Sequence, residues 1–284
     1  MVTERAPLRD PVMIAAFEGW NDAGDAATAA VEHLSLIWNA EPFSELDPDD
    51  FYDFQVTRPT VSLRDGVTRT ISWPTTRITA CRLPDAPHDV LLVHGIEPNF
   101  HWRAFCAELV AVALEVNAPM VLTLGALLAD VAHTTPIQVT GSAHDEATAE
   151  RLGVTVSNYE GPTGITGVLQ DALVSAGVPT VSLWAAVPYY VADPPSPRVT
   201  LALLHRIEEV LDVEVPLGTL PQQADEWVDE VSRLAAEDSE INQYVQSLQA
   251  RDETDPIRPM SGESIAEEFE RYLRRRRPGP GGAH

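Results

Sequence analysis

Up to about residue 215, short unbroken apolar runs alternate with stretches whose apolar residues recur every three or four positions. The first run, Val12 to Phe17, has the length and character of a fully buried strand. A loop follows at Glu18-Gly19-Trp20-Asn21, and Asp22 stands where a helix cap is wanted. Ala23, Ala26, Ala27, Ala30, Val31, Leu34, Ile37 and Trp38 then predict an amphipathic helix. Between Phe51 and Leu83 the runs are short and alternating, and Asp65-Gly66 marks the turn of a β-hairpin. Asp89 to His94 reads as a second buried strand, followed by a turn at Gly95-Ile96-Glu97-Pro98, a cap at Asn99 and a helix. That helix carries Trp102, Phe105, Cys106, Leu109, Val110 and Ala113 on one face. Further strands are predicted at Met120 to Leu124, Ile137 to Thr140 and Val178 to Trp184. A helix runs from Gly161-Pro162-Thr163-Gly164 to near Gly177, and another starts at Ser196-Pro197 with proline at its first position.

Strand–helix alternation with wholly apolar strands predicts a mostly parallel sheet covered on both faces. The hairpin near Asp65 makes it mixed, so the expected fold class is α/β: a three-layer α/β/α sandwich over residues 1–215. Residues 216–277 read as an acidic helical segment, and 278–284 as a disordered Pro/Gly tail. In the acidic segment Ala224, Trp227, Val231, Leu234, Ile241, Val245 and Leu248 form a 3.5-residue seam interrupted at Asp238. A break in the helix is expected there. Ser264 and Glu267 match a capping box for a later helix. The segment packs on the core or on another subunit, and the pattern alone leaves both open.

Charge narrows the function. The 284 residues carry a formal net charge of −24, which disfavours nucleic acid and anionic membrane as partners. From Glu208 to Glu270 the basic residues are only Arg233, Arg251 and Arg258; the block Arg274 to Arg277 follows. Every basic residue other than histidine is arginine, and with no lysine a P-loop lysine, a Schiff base and a Ser-Lys dyad are excluded. The two cysteines, Cys81 and Cys106, suit a reducing compartment and build no zinc framework. The first residues lack the apolar core of a signal peptide, and no apolar stretch reaches bilayer length, so a cytoplasmic location is expected.

Ligands of open α/β sheets sit at the carboxyl ends of the strands. The loops there collect Glu18, Asn21, Glu97 and Asn99, with the constrained turn Tyr159, Gly161, Thr163 and Gly164 nearby. These eight are the candidate ligand-binding residues. Glu18 and Glu97 resemble a carboxylate pair, and Asp130 with His133 resembles a base and its orienting acid. No nucleophile elbow accompanies them, and the histidines show neither HxxxH nor HExxH spacing, so no catalytic residue, metal site or cofactor is assigned.

Six segments occur in order through residues 14 to 212: FEGWNDAGDAA, DFQVTRPTV, HGIEPNFHWRAF, LGALLADVAHTTP, YEGPTGITGVL and SLWAAVPYYVADPPSP. Together they resemble the actinobacterial branch of the proteasome assembly chaperone 2 family. The resemblance implies a fold similar to the purine nucleoside phosphorylase or hydrolase type. It also implies self-association as a trimer, and a role on protein subunits, the proteasome among them. In eukaryotes and archaea, members assist assembly of the proteasome core particle. Several dock through a C-terminal hydrophobic–Tyr–any tripeptide. This sequence closes on Gly282-Ala283-His284 and holds Tyr272 internally, so that docking mode is not expected.

Two functions are carried forward. One is a non-enzymatic, homo-oligomeric protein that acts on partner subunits. The alternative is a small-molecule, nucleoside-like hydrolase or metabolite-binding protein using the cleft at the strand carboxyl ends.

Overall fold

The computed structural model describes residues 7–64, 68–157 and 159–250. The Asp65-Gly66 turn, the helix expected from Ser264, the Arg274–Arg277 block and the tail lie outside these residues. The strands are β1 Val12–Glu18, β2 Glu41–Glu45, β3 Thr60–Arg64, β4 Thr68–Ser72, β5 Arg77–Cys81, β6 Val90–Ile96, β7 Val121–Ala129, β8 Val139–Ala143, β9 Thr155–Val156 and β10 Thr180–Pro188. The helices are α1 Ala26–Ile37, α2 Trp102–Glu115, α3 Glu146–Leu152, α4 Ile165–Ser175, α5 Pro197–Leu211, α6 Leu220–Glu237 and α7 Ser239–Gln249.

Eight strands form one sheet in the order β2-β5-β6-β1-β7-β10-β8-β9. The four in the middle, β6, β1, β7 and β10, run parallel. The sheet is mixed, but through the antiparallel pairs β2–β5, β5–β6 and β8–β10 at its two sides and not through the hairpin near Asp65. Strands β3 and β4 pair only with each other, in a separate antiparallel ribbon.

Alternation along the strands divides the core into two layers. Val12, Ile14 and Ala16 of β1 pack with α1 and α5, together with Leu92, Leu122 and Leu183. Met13, Ala15 and Phe17 pack on the opposite face with α2 and α4. Phe105 of α2 meets Phe17 and Phe51 edge-on, at ring centroid distances of 5.6 and 5.3 Å. The architecture is therefore a three-layer sandwich. The cysteines fall one to each layer: Cys81 is in the α1/α5 core and Cys106 in the α2/α4 core. Helix α6 packs along α5 and adds Leu220 to the first core.

Several sequence expectations shift. Strands β7 and β10 run further than their apolar runs, because they pair in parallel through nine positions ending at Pro188 and Ala129. Strand β2 is polar and contains Pro42; it sits at the sheet edge, where a missing N–H is tolerated. Helix α2 begins at Trp102 after His101, not after Asn99. The break at Asp238 is present: its carboxylate accepts the N–H groups of Glu240 and Ile241 and starts α7. Along α6, Leu234 is exposed and Ala235 is buried in its place, because the helix packs with an ordinary 3.6-residue period.

Candidate functional site

The loop between β1 and α1 is pinned from three sides. The amide of Ala126 in β7 donates to Asn21 O at 2.8 Å, and Ser196 before α5 donates its N–H to Gly24 O at 3.2 Å. Gly24 has φ +64°, and a Cβ there would stand 3.0 Å from Ser196 Cβ, so glycine is required for both reasons. Asp22 is buried and caps α1, accepting from Ala27 N at 2.6 Å, Thr28 N at 3.1 Å and the Thr28 hydroxyl. Burial raises its pKa, and these donors oppose the rise. Asp25, the residue directly before α1, makes no side-chain cap bond.

The structure brings Asn21, Glu97 and Gly164 together. Asn21 is buried and donates from Nδ2 to Glu97 Oε1 at 2.9 Å. The same oxygen accepts the first N–H of α4, from Ile165, at 2.8 Å. A Cβ on Gly164 would stand 2.7 Å from Asn21 Cγ, so only glycine lets α4 start this close. One carboxylate oxygen thus joins the ends of β1 and β6 to the start of α4.

Glu18 belongs elsewhere. Its Oε1 lies 3.7 Å from His94 Nε2, and Glu32 Oε1 of α1 lies 4.0 Å from the same nitrogen. Both distances exceed a hydrogen bond, and His94 Nε2 is buried without a hydrogen-bond partner. Burial lowers the His94 pKa, assisted by Arg77 and opposed by Glu32. The ring is therefore neutral at pH 7, and these are not charged ion pairs. The Glu18 pKa is raised by burial and by the nearby Asp25, Glu32 and Asp22. Glu97 is not among the charges that crowd it. Glu18 pairs in register with Ile96, so Glu97, one position on, starts towards the other face of the sheet, and the two glutamates have different neighbours. Beside His94 lies an open hollow of about 410 Å³ lined by Val31, Glu32, Leu36, Arg77 and Thr79.

The remaining candidates are exposed. Asn99 accepts the Asp53 N–H at 2.8 Å and donates its own N–H to Phe51 O at 2.9 Å. Tyr159 donates to Pro162 O at 2.8 Å, closing the turn over Gly161. Thr163 lies against Gly167 in the first turn of α4.

A cluster that sequence reasoning did not assemble lies after β7. His133 is buried; its N–H donates to Tyr190 Oη at 2.8 Å, and its Nδ1 lies 2.7 Å from the same oxygen. Nε2 lies 2.9 Å from Ser232 Oγ of α6. Tyr244 of α7 donates to Asp130 Oδ1 at 2.7 Å, and Gln249 donates to Thr134 Oγ1 at 2.6 Å. The Tyr189, Tyr190 and Tyr244 rings meet edge-on. Asp130 and His133 therefore serve different bonds of one interface between the core and α6–α7. Ser232 and Tyr244 carry no motif; only the fold brings them here. Among the described residues no group of histidine, cysteine and acidic side chains could hold a metal ion.

The family model of the PAC2 family matches residues 16–235, from within β1 to the last turn of α6. The chain belongs to the PAC2 family. A solved PAC2 family protein from Streptomyces avermitilis is 54% identical, with a TM-score of 0.79 over 83% of this chain and 99% of that one. A proteasome-assembly chaperone homologue from Mycobacterium tuberculosis is also 54% identical, with a TM-score of 0.76 over 82% of this chain and 99% of that one. PbaB of Pyrococcus furiosus, an archaeal proteasome activator, is 19% identical with a TM-score of 0.65 over 82% and 97%, and shares the PAC2 fold. No curated protein matches significantly. Among the described residues no helix of this PAC2 chain is long and apolar enough to cross a membrane.

Proposed function

We propose that the chain is a non-enzymatic assembly factor that acts as a homo-oligomer, a trimer, on partner protein subunits, with the proteasome as the first candidate. The observation that carries this is the 54% identity to the M. tuberculosis proteasome-assembly chaperone homologue, extending over 99% of that chain. The site geometry agrees with it. Glu97 and Asn21 are spent on joining three elements of the core, and Glu18 faces a different neighbourhood. The loop cluster is a bracket that fixes the core, and the acidic helices are the surface presented to a partner.

Asp225, Glu226, Asp229 and Glu230 are exposed on α6 and suit a basic patch on the partner. Such a surface steers encounter more than it adds affinity, so association falls with salt. The test is binding of the full chain to isolated proteasome α-subunits and partly assembled core particles at low and high salt. Association at low salt is expected, and charge reversal at the four acidic positions slows the on-rate at least tenfold. Absence of association at low salt would overturn the reading.

A further inference from the structure

The hollow beside α1 is a step in the sandwich. Helix α1 forms its wall through Val31, Glu32, Ser35 and Leu36, and β5 and β6 form its floor through Arg77, Thr79 and His94. Arg77 pairs directly with His94 across β5 and β6, and Ala16 of β1 pairs with His94 on its other side. These three side chains therefore share one face of the sheet, and Glu18, two positions beyond Ala16, returns to it. The register orders the charges across the floor. Glu18 and Glu32 stand 3.7 and 4.0 Å from His94 Nε2, and Arg77 stands on the neighbouring strand at the far side of the ring.

Neither pole is neutralised. The imidazole is neutral, and Glu32 is one of the charges that raise the Glu18 pKa, so the two carboxylates crowd each other with no cation between them. Glu45 of β2 is opposite Arg77 in register, yet among the described residues Arg77 makes no ion pair. The rest of the rim is apolar: Leu36 is 77% exposed, with Val31 and Ala40 beside it. The volume of about 410 Å³ falls in the range of roughly 300–1,000 Å³ that small-molecule sites occupy. A phosphate or a simple carboxylic acid would be repelled by Glu18 and Glu32, and a simple amine by Arg77. An α-amino acid carries both charges on a single carbon, and an apolar side chain on that carbon would cover Leu36. We propose that the hollow binds a free apolar α-amino acid, with its carboxylate on Arg77 and its ammonium against Glu18 and Glu32. The guanidinium takes a carboxylate through two parallel bonds, which fixes the direction of the ligand. The site is separate from the partner surface on α6 and does not depend on the assembly-factor reading.

The test uses the full-length chain with L-leucine, by titration calorimetry and melting temperature at low salt, where exposed charges are least screened. Leucine should bind and raise the melting temperature. Leucinamide, which lacks the carboxylate, and N-acetyl-leucine, which lacks the ammonium, should each bind at least about tenfold more weakly. Arg77→Gln and Glu32→Gln should each weaken leucine by about the same factor. Both side chains are exposed, so an unchanged melting temperature without ligand is expected and confirms folding. An analogue with one charge that binds as tightly as leucine overturns the two-pole geometry. Leucine binding that survives either substitution unchanged overturns the choice of hollow. Absence of leucine binding at about 10 mM overturns the site altogether and leaves the assembly-factor reading standing.

Discussion

His133 Nε2 of the loop after β7 lies 2.9 Å from Ser232 Oγ of α6, across 99 positions of sequence. The Tyr190 hydroxyl holds the other end of the ring, so the acidic helices are fixed to the core by a buried, neutral imidazole. Burial lowers the His133 pKa, and Arg198 lowers it further. Unfolded chains take up the proton near the ordinary value of 6.5 and the folded chain resists it. Stability should therefore fall as pH drops below about 6.5. His88 and His94, both lowered by burial, add to the slope. His133→Gln should flatten the slope of melting temperature against pH, without abolishing it. An unchanged slope would show that this contact does not set it.

Loss of the ring should also loosen α6. His133→Ala leaves the Tyr190 and Ser232 hydroxyls without this partner and should cost about 1–3 kcal/mol. Hydrogen exchange should rise first in α6 and α7 and leave β1 and β7 protected. Uniform acceleration across the chain would contradict a local fastening.

Gly164→Ala tests the close approach of α4 to Asn21. The backbone there has φ −100°, open to any residue, so the whole penalty is steric. A loss of about 1–3 kcal/mol is expected in chemical denaturation. Asn21→Ser in the same chain should recover part of it, giving a measurable coupling.

At Glu97 the question is whether charge or shape matters. Glu97→Gln keeps an oxygen for Ile165 N and Asn21 Nδ2 and should lie within about 1 kcal/mol of wild type. Glu97→Ala strands both donors and should cost about 1–3 kcal/mol. Equal losses would mean that the negative charge itself is needed.

Glu18 should respond in the opposite direction. Its pKa is raised above 4.5, so the ionised form opposes folding at neutral pH. That penalty is absent below pH 4.5, where the carboxyl is protonated in both states. Glu18→Gln should raise stability at neutral pH by up to about 0.5 kcal/mol, a small effect because half the side chain is exposed. The difference should vanish in acid.

The middle of the sheet is legible from sequence because β1, β6, β7 and β10 are covered on both faces and are apolar almost throughout. The edges are not. Strand β2 is polar, β9 has two residues, and α3 buries only Thr148 and Ala149, so none leaves an apolar period to read. The candidate site is legible as a set of loops but not as a set of contacts. Glu18 and Glu97 end adjacent strands, yet one meets His94 and the other the start of α4. Asn99 looks like a cap for α2, but its side chain holds Asp53 N while His101 turns left-handed before the helix. His133 is visible from sequence; its partner Ser232 is placed only by the packing of α6.

The two thiols report on the layers that hold them. Cys81 and Cys106 are fully buried, and burial pushes both pKa values up to about 12. Neither sulfur is reactive as a thiolate while its layer is closed. An alkylating reagent that traps each sulfur on opening would act as two clocks, one on the α1/α5 side and one on the α2/α4 side. The ratio of the two rates would tell which slab of the sandwich breathes first, with no mutation made to the chain.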